Sequence, residues 1–186
     1  MGPGAIRTIQ GKNLTKRFIC DTVFRSFRAR IDYGLSQQMA RSAQHSYDLA
    51  RFIEAQEETY PVALAEIKSG RKRTHWMWYI FPQLAGLGRS ATSRFFGLED
   101  LAEARAYLDH PVLGRRLLEI TGELLTLNKT DAREIFGRPD DLKLKSSMTL
   151  FDVAAESHDN VFAKVLGKFF DGLRDEATLE LIRRDA

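Results

Sequence analysis

The spacing of the apolar residues from Ser46 onward constrains the fold more than any other feature. In the clearest example, residues 113–127, they recur every three or four positions, at Leu113, Leu117, Ile120, Leu124 and Leu127. This period places the side chains on one face of an α-helix, whereas a half-buried strand alternates apolar and polar residues. No stretch of the sequence alternates convincingly enough for a sheet. The pattern therefore predicts an all-α fold.

Helix boundary signals support the same interpretation. Pro61 suits the first turn of a helix and Gly70 suits its end. A chain of 186 residues with 44% hydrophobic residues is long enough for one domain with a proper core and short for two. We predict a single compact domain of six to eight helices joined by short loops, spanning residues 45–186.

Residues 1–44 are interpreted separately, as a basic N-terminal extension. Residues 1–38 contain seven Lys or Arg and two Asp, a balance of 7 − 2 = +5, so the remainder of this +3 chain carries −2. Because the excess basicity lies outside the predicted domain, the positive total is poor evidence that the domain binds nucleic acid.

Within this extension, the apolar period from Lys16 to Ile31 predicts a short basic amphipathic helix. Such a helix can dock on its own domain, lie on an anionic membrane or act as a targeting element. A fourth interpretation makes Met39 the true start, so that the preceding residues are dispensable. All four remain open at this point.

Several classes of protein are excluded by what the sequence lacks. It has no apolar run near the roughly 20 residues that cross a bilayer and no secretory signal pattern, so we expect a cytoplasmic protein. Cys20 is the single cysteine and cannot form an internal disulfide. No two histidines have the i, i+4 spacing of a helical metal pair, so we predict no metal site, and the sequence names no cofactor.

The aromatic segment at residues 71–88 contains both tryptophans of the chain. As a helix it would bring Trp76, Tyr79 and Gln83 to one face, with apolar groups on every side. A segment that is apolar all round is typical of a core. However, the polar edges of Trp and Tyr need partners, and His75 and Gln83 flank these rings. The wall of a ligand pocket is therefore a second interpretation.

A third interpretation makes the same segment a surface for stacking nucleic-acid bases. Arg71, Lys72 and Arg73 precede the aromatic residues, as at single-strand binding surfaces. This would require the rings to stand in solvent, and the segment is too uniformly apolar for that. We therefore do not expect nucleic acid as a partner.

A glycine- and serine-rich stretch follows at residues 86–97. Ser90 could cap a short helix whose N-terminal amides point at an anion, with Ser93 in its first turn. The stretch lacks both the dinucleotide glycine fingerprint and the Lys-Ser/Thr pair of a P-loop. An ordinary turn followed by a capped helix explains it equally well.

Lys145 is a candidate anion-binding residue on a predicted helix. It aligns with Thr149 and Asp152 beside an apolar face. A half-buried ammonium has a lowered pKa and can hold an anionic substrate. The alternative is that the side chain of Lys145 covers apolar surface and keeps its charge in water.

Four stretches of the sequence resemble signature stretches of the domain-of-unknown-function 1810 family: "YDLARFIEAQ", "IKSGRKRTHWMWYIFPQLAGLGRSATSRFFGL", "YLDHPVLGRRL" and "IFGRPDDLKLKSSMTLF". The resemblance covers roughly Ser46 to the C-terminus. It implies a small, mainly helical protein, and it brings no activity, cofactor or catalytic residue. Some members carry a calpastatin label, which we set aside because such inhibitors are disordered and this chain forms a core.

Our leading functional hypothesis is a helical domain that binds a small anionic ligand in an aromatic, polar-rimmed pocket, with or without catalysis. Its predicted ligand-binding residues are Trp76, Tyr79, Gln83, Ser90, Ser93 and Lys145. His75 is the candidate general acid or base, because the ordinary pKa of histidine lies closest to neutrality. The alternative is a non-catalytic domain that binds a protein partner through an apolar groove or through the basic helix.

Overall fold

The computed structural model describes residues 47–155, 157 and 159–184, and in this part of the chain it contains helices and no strands. The helices are α1 Ala50–Gln56, α2 Thr59–Lys68, α3 Met77–Ile80, α4 Ala91–Phe95, α5 Leu101–Asp109, α6 Leu113–Thr126, α7 Ala132–Phe136, α8 Asp140–Ala154, α9 Val161–Phe170 and α10 Glu176–Arg184. The all-α prediction is confirmed. The predicted basic helix and Met39 lie outside the described residues.

The described residues form ten helices, slightly more than the six to eight expected. Three of them are very short: α3 has four residues, and α4 and α7 have five each. A helix of one turn shows no apolar period, so periodicity could not have detected them. The long helices, in contrast, carry the buried stripes that predicted them.

Helix α8 is the centre of the domain and packs against α5, α7, α9 and α10. Its apolar residues Leu144, Met148 and Phe151 are completely buried, and so is the polar Thr149. The Thr149 hydroxyl donates to the carbonyl oxygen of Lys145 at 2.8 Å and accepts the backbone N–H of Asp175 at 2.8 Å. This bond fixes the start of α10 against α8.

The aromatic segment enters the core through Trp76 and Phe81. Their rings lie 6.2 Å apart, and both contact Phe136 of α7, at centroid distances of 6.3 and 6.0 Å. All three side chains are buried. Large aromatic rings contribute much of the apolar area of a small core, so this cluster anchors the segment to the rest of the domain.

Candidate functional site

A cleft of about 520 Å³ opens between the loop that follows α3, the first two turns of α8 and the start of α10. We call it the Trp78 cleft. Its polar and aromatic lining consists of Trp78, Gln83, Arg89, Ser90, Ser93, Lys143, Ser146 and Asp175. Trp78 is partly buried, and Arg89 is exposed at the mouth. The cleft thus combines a flat ring with charges of both signs.

Pro82 determines how the chain reaches this cleft. The residue before a proline avoids the helical conformation, and Phe81 has φ −121° and ψ 71°, so α3 ends at Ile80. The following residues run extended, and the N–H of Leu98 donates to the carbonyl oxygen of Gln83 at 2.9 Å. Gln83 therefore does not share a helix face with Trp76 and Tyr79, and it lines the cleft instead.

The loop is held close to α4 by Gly88 and two serines. A Cβ atom at Gly88 would lie 2.5 Å from the Cβ of Ser93, so only glycine permits this approach. Ser90 is the N-cap of α4, and its Oγ accepts the backbone N–H of Ser93 at 3.0 Å. The Ser93 hydroxyl donates to the carbonyl oxygen of Ser90 at 2.8 Å. An ordinary turn followed by a capped helix, the second interpretation of this stretch from the sequence, accounts for this geometry.

A shared carboxylate connects the cleft to the core. Asp140 accepts the ammonium of Lys143 at 2.7 Å and that of Lys72 at 2.7 Å. Burial alone would raise the pKa of Asp140, but the hydrogen bonds and positive charges of Lys143 and Lys72 outweigh it and hold this pKa below its usual value. The Lys143 Nζ also lies 4.5 Å from the centroid of the Trp78 ring. Asp140 therefore positions Lys143 over the indole.

Asp175 and Ser146 also line the cleft. One carboxylate oxygen of Asp175 accepts the Ser146 hydroxyl at 3.0 Å, and the N–H and hydroxyl of Thr178 at 3.0 and 2.6 Å. Three donors on one oxygen compensate much of its negative charge. Asp175 thus acts as a helix cap for α10 while it lines the cleft.

Comparison with known proteins places the chain in a family. Residues 46–182, well over half of the chain, match the family described as protein of unknown function (DUF1810). The chain belongs to this family. A solved member of the same fold is the conserved hypothetical protein Rv1873 from Mycobacterium tuberculosis, which is 46% identical, has a TM-score of 0.71 and covers 75% of this chain and 99% of its own. None of the curated proteins compared matches.

The DUF1810 match includes every residue of the Trp78 cleft and begins two residues after the predicted extension ends. Neither the family description nor the name of the Mycobacterium tuberculosis protein gives an activity. The boundary between residues 44 and 45 stays a prediction. No helix in the described part of the domain is both long and apolar enough to cross a membrane.

The predicted ligand-binding residues of the DUF1810 domain do not form one wall. Gln83, Ser90 and Ser93 do line the Trp78 cleft. Trp76 is completely buried and contributes its ring to the core, so it does not form a pocket wall. The Tyr79 ring packs on Phe96 at a centroid distance of 5.1 Å and does not line the cleft. Pro82 explains the separation, because it interrupts the helix that would have aligned these side chains.

Trp76 finds its polar partner in the buried carboxylate of Glu66. Glu66 Oε2 accepts the indole N–H at 2.8 Å and the backbone N–H groups of Arg73 and Thr74 at 2.8 and 3.2 Å, and Oε1 accepts the Thr74 hydroxyl at 2.9 Å. Burial would raise the pKa of Glu66, but these hydrogen bonds together lower it from its ordinary value of 4.5. The polar edge of Trp76 therefore serves stability.

His75 and Lys145 also lie apart from the cleft. His75 is exposed and is absent from the cleft lining, so the geometry gives its imidazole no substrate to act on there. On α8 and its N-cap residue, the positions that line the cleft are 139, 142, 143 and 146, which is the i, i+3, i+4, i+7 pattern of one helix face. Lys145 is two residues from Lys143 and points about 200° around the helix, as the 3.6-residue turn requires. The lysine of this helix that lines the cleft is Lys143, which the sequence analysis did not select.

The geometry gives little support to a nucleic-acid stacking surface, a metal site or a continuous apolar patch in the part of the chain that the structure describes. Lys72 is turned inward, with only 8% of its side chain exposed, and Trp76 is buried, so the basic triad and its aromatic neighbour do not form a stacking surface. Within the described ranges, no group of three or more His, Cys, Asp or Glu residues could hold a metal ion. The exposed large apolar side chains lie on separate segments: Val62, Phe95, Leu118, Leu142 and Leu173.

Proposed function

We propose that this DUF1810 protein is a cytoplasmic domain that binds a small anionic molecule in the Trp78 cleft. The observation that carries the proposal is the convergence of Arg89, Lys143 and the Trp78 ring on one cavity of about 520 Å³. Small-molecule sites are typically concave spaces of about 300–1,000 Å³, lined mainly by apolar groups with a few polar ones. The cleft has these dimensions and this composition.

The charges around the cleft favour an anion. The side chain of Arg89 forms no hydrogen bond or ion pair with any other residue that the structure describes, so its guanidinium is available as a forked donor. Among the residues that the structure describes, Lys143 has one carboxylate partner, Asp140, and shares it with Lys72. Among the residues that line the cleft, Arg89 and Lys143 are cationic and Asp175 is anionic, which leaves a local charge of 2 − 1 = +1. A bound phosphate or carboxylate would balance this excess.

The proposed function is binding and includes no catalytic step. The Ser146 hydroxyl donates to Asp175, but neither His75 nor His110, the two histidines that the structure describes, lines the cleft to act as a base. His75, the candidate general acid or base from the sequence, lies outside it.

Thermal unfolding of the full chain with added anions tests the proposal. Phosphate, pyrophosphate and citrate would be titrated at low ionic strength, where exposed charges are least screened. A ligand of the native state stabilises the protein by about 2.7 kcal/mol at a hundred times its dissociation constant. We expect at least one of these anions to raise the melting temperature in a saturable manner.

Two matched substitutions on α8 show whether the effect belongs to the cleft. Lys143→Met should abolish the stabilisation by the anion, while Lys145→Met removes the same charge outside the cleft and should preserve it. Equal responses of the two variants would mean that net charge alone produces the shift. That result, or no shift with any anion, would overturn the proposal and favour a protein-interaction domain.

A further inference from the structure

The geometry points to a nucleoside monophosphate as the class of ligand, with its base against Trp78, its base edge at Gln83 and its phosphate between Arg89 and Lys143. This inference rests on the proposed function and makes it specific. It follows from the flat ring of Trp78, from the polar groups of the cleft that have no hydrogen-bond partner among the described residues, and from the apolar lining.

The flat surface is the face of Trp78 that meets the cleft. Trp78 and Lys143 both line the cleft, and the Lys143 ammonium lies 4.5 Å from the ring centroid. The face of the indole is thus already in use as a partner for a cation. If Lys143 turns toward a phosphate, that face becomes available for a planar ring. Stacking on an aromatic side chain suits every base, because each base has a π-face.

The unused polar groups of the cleft are few. The hydroxyls of Ser90 and Ser93 bond within the α4 cap, and Ser146 bonds to Asp175. The side-chain amide of Gln83 makes no hydrogen bond to any other described residue, and it lines the same cavity. An amide offers both a donor and an acceptor, which is the pattern that a base edge presents in return.

The apolar lining argues against a sugar phosphate without a base. Leu87, Pro139 and Leu142 line the cavity, and Leu142 is 47% exposed although it is a large apolar residue. A sugar would bring several hydroxyls to this surface, and those hydroxyls would lose their water without finding partners. A base can place its π-face on these side chains and keep its polar edge toward Gln83, so the ring is the part of the ligand that fits them.

Titration of the full chain by calorimetry distinguishes the ligand classes. The probes are the four nucleoside 5′-monophosphates with adenine, guanine, cytosine and uracil, together with ribose 5-phosphate, adenosine and inorganic phosphate. We expect at least one nucleotide to bind ten times or more tightly than ribose 5-phosphate and than adenosine. Trp78 fluorescence should change on binding, because the ring is the proposed contact.

Three substitutions separate the parts of the proposed contact. Trp78→Leu should remove the advantage of the nucleotide over ribose 5-phosphate, and Gln83→Leu should reduce the differences among the four bases. Lys143→Met should weaken every phosphate-bearing probe, with Lys145→Met as its control. The near-ultraviolet circular dichroism of the buried Trp76 reports whether each variant is folded. If Trp78→Leu fails to fold, Trp78→Phe replaces it and should retain part of the advantage.

The possible results distinguish failure of the nucleotide inference from failure of the proposed anion site. If ribose 5-phosphate or phosphate binds as tightly as every nucleotide, and Lys143→Met abolishes that binding, the nucleotide inference is wrong while the anion site stands. If none of the phosphate-bearing probes binds, both are overturned. A nucleotide preference that survives Trp78→Leu in a folded variant also overturns the inference, because the base would then rest elsewhere.

Discussion

Replacing Glu66 by Gln should destabilise the protein without altering the shape of its core. The carboxylate is buried and connects α2 to the aromatic segment, because it accepts hydrogen bonds from Arg73, Thr74 and Trp76. Gln is almost isosteric with Glu, and its carbonyl oxygen can take the place of Oε2. The substitution therefore removes the charge and leaves the three donors with an acceptor.

The magnitude follows from the change in hydrogen-bond strength. A hydrogen bond to a charged group contributes about 1.5–3 kcal/mol and one between neutral groups about 0.5–1.5 kcal/mol. Three bonds meet at the same oxygen, and their losses are not additive, so we expect a total of about 1–3 kcal/mol for Glu66→Gln. Glu66→Leu leaves the donors unpaired, at about 1–3 kcal/mol for each buried group, and should cost more.

The pH dependence provides a second and independent check. The pKa of Glu66 is lower in the folded protein than its ordinary value of 4.5. Its ionised form therefore contributes stability that is fully present above about pH 4.5 and is lost as the pH falls through the folded pKa. The Gln variant has no such contribution. The difference in unfolding free energy between the two proteins should thus be largest at neutral pH and should narrow in acid.

Urea unfolding followed by tryptophan fluorescence measures these free energies. Both proteins would carry Trp78→Phe, so that Trp76 is the single fluorophore and reports directly on its own site. Linear extrapolation gives the unfolding free energy at each pH. A loss below about 0.5 kcal/mol at pH 7 would refute the reasoning, since surface substitutions commonly fall in that range. A difference that stays constant from pH 7 to pH 3 would refute the role of the charge.

Other substitutions test separate contacts. Gly114→Ala should destabilise the protein by about 3 kcal/mol in urea unfolding, because the new Cβ would lie 1.8 Å from the backbone oxygen of Leu108. Gly122→Ala is the control in the same helix. Its Cβ would meet no atom within 4 Å, so it should stabilise the protein by about 0.5–1 kcal/mol. Asp140→Asn leaves the ammonium of Lys72 without its carboxylate and should cost about 3 kcal/mol in the same assay. Ser90→Ala removes the α4 cap, at about 1 kcal/mol, and should speed amide hydrogen exchange in α4 alone.

The fold was predictable from the sequence wherever a helix was long enough to show its period. The stripe that includes Leu113, Leu117 and Ile120 is buried in α6 as expected. The short helices were missed because one turn has no period. Periodicity along one helix also says nothing about which loop packs beside it, so it could not bring Arg89 and Lys143 into the same cavity.

Parts of the site did have signals in the sequence. Pro82 follows directly after the aromatic residues, and its effect on Phe81 was enough to separate Gln83 from Trp76. The phase of α8 is harder to determine, because its apolar and polar residues are both buried and it is surrounded on most sides. With no polar face to mark the outside, the choice between Lys143 and Lys145 needed the packing of neighbouring elements.

The two tryptophans show how one segment can serve both the core and the cleft. Trp76 lies in the core with the Lys72 ammonium 5.0 Å from its ring, and Trp78 lines the cleft with Lys143 at 4.5 Å. Both ammonium groups bond to Asp140. An anion that drew Lys143 away would leave Asp140 paired with Lys72, so no buried charge would lose its last partner. Asp140 would therefore allow the proposed anion to take Lys143 as its partner at little cost to the core.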